Sequence, residues 1–153
     1  MEKKACCIVS ISPVRSEGKD SSEMVTQLLF GELVTVHEIN EPWAKITTDS
    51  DAYDGFVDYK HLTFLSSKEV KRWSDGLSYV SEREVQLISN DTNQFICRGA
   101  YVPENEMNFN IGQLEFTLAN SPYSTFKNPV DLAMNYINTP YLWGGKSPFG
   151  IDC

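Results

Sequence analysis

The residues of this 153-residue chain whose types and spacing could do chemistry lie between positions 140 and 153. They read Pro140-Tyr-Leu-Trp-Gly-Gly145, then Lys146-Ser-Pro-Phe-Gly-Ile-Asp-Cys153. A cysteine directly behind an acid, Asp152-Cys153, offers a nucleophile. The thiolate is the attacking species and a free thiol ionises only near pH ~8.5, so such a residue needs activation. Tyr141 and Trp143 add a phenol and a large flat ring. Gly144 and Gly145 let backbone pass close, a freedom that loops also use without special function. Residue types alone leave alternatives open. Cys153 is a nucleophile or a structural thiol; Trp143 lines a pocket or fills a core; Asp152 serves a substrate or accepts hydrogen bonds in a turn.

The other reactive side chains are sparse. His37 and His61 stand far upstream, and the four cysteines contain no C-x-x-C, so no metal and no cofactor are expected. Cys6 and Cys7, being adjacent, point to opposite faces of a strand, and with Cys97 they are expected as small buried hydrophobes. Nothing reads as a disulfide framework, which favours a reducing compartment.

The element that must position residues 140–153 is a short helix before them. Asn128 is an N-cap, Pro129 suits the first helical position, and Asp131 faces the positive end of the helix. Val130, Ala133, Met134 and Ile137 follow at i, i+3, i+4 and i+7, an amphipathic helix of two to three turns that Asn138-Thr-Pro140 stops. The switch to this period marks a boundary at 123–127. Upstream the period is two. Residues 5–11 read as a strand, Gln27-Leu-Leu-Phe30 as another ending at Gly31-Glu32, and Leu33 to Ile39 alternates, with Val34, Val36 and Glu38 on one face. Trp43-Ala-Lys-Ile-Thr-Thr48 and Tyr53-Asp-Gly55-Phe-Val-Asp58 complete a small β-barrel. Residues 66–71 suit a linker or a short helical turn. Strand signals resume over 73–118 and suggest a second, smaller barrel. Each barrel alone holds a modest core, so packing against a neighbour would help it.

Composition narrows the partners. The chain is 41% hydrophobic and 22% charged, a globular mixture. Lys plus Arg total 13 against 21 Asp plus Glu, a formal charge of -8, which disfavours nucleic acid. No stretch approaches the ~20 apolar residues of a membrane span, so no membrane is expected. The charged start Met1-Glu-Lys-Lys lacks a proper apolar run and a small-residue cleavage site behind it.

The ordered set Val14-Arg15, Phe30-Gly31-Glu32, Trp43 and Tyr53-Asp-Gly55-Phe-Val57 is similar to bacterial SH3-like domains. The string Ser22-Glu-Met-Val-Thr-Gln-Leu-Leu-Phe-Gly-Glu32 looks closest to those fused to bacterial dipeptidyl-peptidases. The helix, Thr-Pro-Tyr-x-Trp-Gly-Gly and Gly-Ile-Asp-Cys, in that order, resemble the opening of an NlpC/p60 cysteine-peptidase domain, reaching its nucleophile. The fold implied is mainly β: two SH3-like barrels at 1–65 and 66–124, then the first helix and loop of an α+β papain-like domain at 125–153.

The resemblance further implies that Cys153 is the nucleophile and Tyr141 an active-site tyrosine beside it. It implies substrate-pocket roles for Trp143 and Asp152, and binding of a peptide's free ammonium by Glu23 and Tyr53, where the first barrel closes the cleft. A base histidine follows the cysteine in that family, so residues 1–153 alone are expected to be inactive. The activity implied is hydrolysis of the γ-D-Glu–diamino acid bond in short peptidoglycan-derived peptides, with a cytoplasmic site if no signal peptide has been removed and a periplasmic or secreted one otherwise. A rival expectation is a binding module, in which residues 1–125 attach to wall polymers.

Overall fold

The computed structural model describes residues 3–90, 92–125 and 128–153. The charged start at Met1, the middle of the turn at 89–93 and the end of the period switch at Lys127 fall outside them. Seven antiparallel strands come first: β1 (Lys3–Cys7), β2 (Ile11–Arg15), β3 (Met24–Leu29), β4 (Leu33–Asn40), β5 (Trp43–Thr48), β6 (Asp54–Asp58) and, after a 3-10 turn, β7 (Leu62–Leu65). They form one sheet in the order β3-β2-β6-β5-β4-β1-β7. The single strand expected over 5–11 is two strands, because residues 8–10 leave the ladder between β1 and β2.

Helix α1 (Ser67–Ser74) follows, opened by a capping box in which Ser66 and Glu69 satisfy each other's backbone donors. It extends past the expected linker or turn and takes in Trp73, which is buried on the helix and not on a strand. Then come β8 (Leu77–Tyr79), β9 (Glu84–Ser89), β10 (Thr92–Cys97), β11 (Tyr101–Pro103), β12 (Asn108–Ile111) and β13 (Leu114–Leu118). β10-β9-β13-β12 make one sheet and β11-β8 a separate ribbon. The last elements are α2 (Pro129–Met134) and the two-residue strands β14 (Lys146–Ser147) and β15 (Gly150–Ile151).

The architecture is mainly β, as the sequence predicts, but the sheets are not closed barrels. Strands β3 and β7 end the large sheet without pairing to each other. Each edge meets another part of the chain. A Cβ placed on Gly144 would stand 3.0 Å from the Met24 carbonyl oxygen on β3, and one on Gly112 would stand 3.4 Å from Leu65 on β7. At β3 the contact is with strand backbone, and an edge covered in this way needs no closure to be protected.

Two apolar clusters fill the interior. One lies within the first sheet and includes Cys7, Val14, Leu28, Val34, Ile46 and Val57. The other joins Cys6, Leu29, Phe30 and Leu65 to Trp73, Val85, Leu87, Ile96, Phe109 and Phe116 of the following region. The period-two alternation of strands explains the division: Cys6 and Cys7, or Leu28 and Leu29, send successive side chains to different cores. Phe30 packs edge-on against Phe116 with ring centres 5.1 Å apart, and Trp73 donates its indole N–H to the Gly31 carbonyl at 2.9 Å. Gly31 itself has φ +84°, and a Cβ there would fall 2.4 Å from the Tyr101 oxygen. The Phe30-Gly31-Glu32 turn is therefore the joint between the two β regions.

Candidate functional site

The 140–153 segment is a knot of short hydrogen bonds. Lys146 faces Ile151 and Ser147 faces Gly150 across the β14–β15 hairpin, whose turn is Pro148-Phe149. Leu142 N donates to Ile151 O at 3.0 Å, Ile151 N to Pro140 O at 3.1 Å, and Asp152 N to Gly145 O at 2.8 Å. Two glycines are required by this packing. Gly144 has φ +70° and lies against the β3 backbone, and a Cβ on Gly145 would fall 2.5 Å from Gly150 O. The paired glycines of the motif thus serve close backbone approach.

Asp152 ties the chemistry-bearing residues together. One carboxylate oxygen accepts Gly144 N–H at 2.6 Å and the other accepts Cys153 N–H at 2.8 Å. The Gly144 amide, then the Cys153 amide and the Tyr141 hydroxyl, hold its carboxyl below the usual carboxylate value. Tyr141 is pushed the other way: desolvation first, then the charge of Asp152, the hydrogen bond to it and the charge of Cys153 raise its phenol above the ordinary value. A neutral phenol, an ionised acid and an exposed thiol therefore share one loop.

Trp143, on the same loop, is 57% exposed and fills no core within these residues. Asp152 does act as a local hydrogen-bond acceptor. Glu23 is exposed and sits one residue before β3; its carbonyl accepts Ser16 N at 2.9 Å, and its neighbour Met24 lies against Gly144. Tyr53 is 45% exposed and belongs to the β5–β6 turn, where its N–H donates to Thr48 Oγ1 at 2.8 Å. Two residues on, Gly55 packs against Val14, Arg15 and Val25. The structure thus joins Asp152 to Tyr141 and to the Cys153 amide, seats Gly144 of the same loop on the β3 backbone at Met24, one residue after Glu23, and places Tyr53 in the β5–β6 turn.

The remaining titratable candidates lie elsewhere. His61 Nδ1, on the 3-10 turn before β7, is 2.9 Å from Ser12 Oγ, and His37 Nε2 on β4 is 2.7 Å from Thr47 Oγ1, both within the first β region. Burial pushes the Cys7 thiol up to about 12 and the Cys97 thiol up to about 11, and raises Cys6 well above its usual value. Such thiols stay protonated and inert. Among the described residues no group of three or more His, Cys, Asp and Glu side chains converges as metal ligands, and no helix is long and apolar enough to cross a membrane.

Four residues that hold the segment in place escape a reading of the sequence. Lys146 Nζ pairs with Glu32 at 2.8 Å, and Lys146 N donates to Gln27 Oε1 at 3.0 Å. Arg83 donates to Asn135 O and, at 3.2 Å, to Pro148 O. Arg98 donates to Leu132 O at 3.2 Å and lies 5.3 Å from the centre of the Tyr136 ring. These arginines satisfy carbonyls at the C-terminal end of α2, where cations are favoured. Partners 34 to 119 residues apart leave no local signal in the chain.

Residues 14–62 match the family described as the bacterial dipeptidyl-peptidase Sh3 domain. A stretch of 27 residues is 67% identical to Dipeptidyl-peptidase 6 of Lysinibacillus sphaericus, covering 18% of this chain and 10% of that relative. The fold is similar to that of an NlpC/P60 family protein from Bacillus cereus ATCC 10987, with TM-score 0.66, 18% identity and coverage of 98% of this chain and 68% of the other. It is also similar to an NlpC/P60 endopeptidase from Photobacterium damselae subsp. piscicida, with TM-score 0.68, 17% identity and coverage of 98% and 40%. Residues 14–62 are therefore similar to the SH3-like domain of bacterial dipeptidyl-peptidases, within a fold similar to that of NlpC/P60 proteins.

Proposed function

We propose that residues 1–153 form the SH3-like and nucleophile-bearing part of an NlpC/p60 cysteine peptidase that cuts the γ-D-Glu–diamino acid bond of short peptidoglycan-derived peptides. The observation that carries this reading is the contact set of Tyr141, Asp152 and Cys153 on a loop seated against β3 next to Glu23. The Cys153 thiolate attacks the γ-carbonyl carbon of D-Glu, and the C–N bond of the resulting tetrahedral intermediate breaks to give a thioester and the free amine. Water then attacks the thioester and releases the acid. Tyr141, kept protonated, donates to Asp152 here, and in this reading its one O–H turns from the carboxylate to the developing oxyanion when substrate is bound. Asp152 orients Tyr141 and the Gly144 backbone. The reaction also needs a base to take the thiol proton and return it to the leaving amine. Since both histidines are engaged within the first β region, this reading has that base supplied from outside these 153 residues.

Glu23 and Tyr53 are the proposed holders of the peptide's free ammonium. A carboxylate and an aromatic ring are the side-chain types that suit a cation in a closing cleft, where charge-assisted hydrogen bonds are strong. A wall-binding role is the second reading, favoured by a cavity of about 310 Å3 on the first sheet lined by Gly18, Glu38, Asn40, Trp43, Lys45 and Phe56. The deciding experiment is incubation of the full-length protein, and of its Cys153→Ala variant, with L-Ala-γ-D-Glu-diamino acid. Release of L-Ala-D-Glu by the first and not by the second supports the peptidase. Release by neither, together with co-sedimentation on insoluble peptidoglycan, supports the binding module instead.

A further inference from the structure

Glu32 is 7% exposed, and its carboxylate is shared between two regions of the chain. Oε2 accepts Leu29 N–H at 2.6 Å, and Lys146 Nζ reaches Oε1 at 2.8 Å and Oε2 at 3.1 Å. Gln27, equally buried, accepts the Lys146 backbone N–H at 3.0 Å. Both side chains belong to an otherwise apolar stretch in which Leu28, Leu29 and Phe30 are buried. Burying a charge pair costs desolvation, and an apolar pair of similar size serves stability as well or better. What the Glu32–Lys146 pair, buried on its Glu32 side, offers beyond stability is a bidentate contact that holds the two chain regions in one register.

That geometry leads to the nucleophile-bearing end of the loop. Lys146 stands opposite Ile151 in the β14–β15 pair, and Ile151 is followed by Asp152 and Cys153. Gly144 packs on the β3 backbone at Met24, Val25 and Thr26. The loop is therefore fixed along β3 and the turn after it at three places, with Glu23 just before the first. We propose that Glu32, assisted by Gln27, is a positioning residue: it clamps Lys146 and so sets where the Cys153 thiol stands relative to Glu23. This rests on the reading of Cys153 as a nucleophile, but the clamp itself is measurable without any substrate.

The test compares Lys146→Met and Lys146→Arg in the full-length protein, with Glu32→Gln as a second way of weakening the pair. Lys146 is partly exposed, so the methionine variant leaves the sheet interior untouched. Two quantities are read: amide exchange at Gly144, Lys146 and Asp152, and the rate at which iodoacetamide alkylates Cys153, the exposed thiol beside three buried ones. Loss of a charge-assisted hydrogen bond predicts roughly tenfold or faster exchange at those amides in Lys146→Met and Glu32→Gln, and at least about a threefold change in alkylation. The guanidinium fork of Lys146→Arg, which reaches both carboxylate oxygens, restores the original values. Unchanged exchange and alkylation in Lys146→Met overturn the proposal. So does an equal acceleration in β9 and β10, which marks general loosening. Failure to cleave L-Ala-γ-D-Glu-diamino acid would sink the proposed function while leaving these readouts intact.

Discussion

The β regions and the 128–153 segment are both built from periodic apolar residues, yet they are held by opposite means. In the first sheet Val14, Leu28, Val34 and Ile46 are fully buried, and Phe30 crosses into the neighbouring core. In α2 and the turns after it, Val130, Met134 and Ile137 are 67%, 59% and 58% exposed. That segment is attached by ion pairs and carbonyl contacts from Glu32, Gln27, Arg83 and Arg98. Periodicity fixes which side chains share a face; it does not say what covers that face. An apolar stripe left open beside polar anchors also leaves the helix free to receive a further layer, which fits the proposal of a larger peptidase domain.

The contrast is broken or sharpened by three measurements. The largest effect is expected at the joint. Phe30→Ala removes a ring packed against Phe109 and Phe116 and should cost about 3–5 kcal/mol in urea unfolding. A loss below about 1 kcal/mol would mean that the two β regions do not depend on their shared core.

The pH scale should separate the regions next. The buried thiols have raised values in the folded chain, so unfolding releases their protons in alkali. Their stabilising contribution is complete below the ordinary thiol value of 9.0 and fades as pH climbs toward about 12. Asp152 is depressed, so its contribution is present above the ordinary value of 3.8 and is lost as pH falls through its lower folded value. Amide shifts followed by NMR should show Gly144 and Cys153 responding in acid and β1 in alkali. A Gly144 amide indifferent to acid would remove Asp152 as the organiser of the loop.

The smallest effect is expected on the open stripe. Met134→Ser and Ile137→Ser should each shift stability by no more than about 0.5 kcal/mol in the same urea assay. A cost above about 2 kcal/mol would show that something packs on this face in solution.

Local signals were sufficient for caps and alternation, although α2 stops at Met134, short of the two to three turns expected, and residues 135–138 are turns. Asn128 does accept the Asp131 N–H as N-cap with Pro129 behind it, the alternation of β4 does bury Val34 and Val36, and Cys6 and Cys7 do part to different faces. These depend on backbone period and on caps three residues away, which the sequence states directly. The expectations that failed depend on what lies across space. Barrel closure failed because the loop at 144–146 and the turn at Gly112 meet the sheet edges. Trp73 lies on the helix that the Ser66–Glu69 capping box opens, and its indole reaches Gly31 O across space.

The candidate site divides in the same way. Asp152-Cys153 and the glycines before it stand out by adjacency, and the sequence by itself determined which loop bears the thiol and which strands alternate toward a core. Only the tertiary structure decided that Glu32 meets Lys146, that β3, which begins one residue after Glu23, seats the loop, and that the stripe of α2 faces outward. The reason is physical. Hydrogen-bond caps and side-chain period act over a few residues, whereas ion pairs and packed faces are set by which distant elements the folded chain brings within a few ångströms of one another.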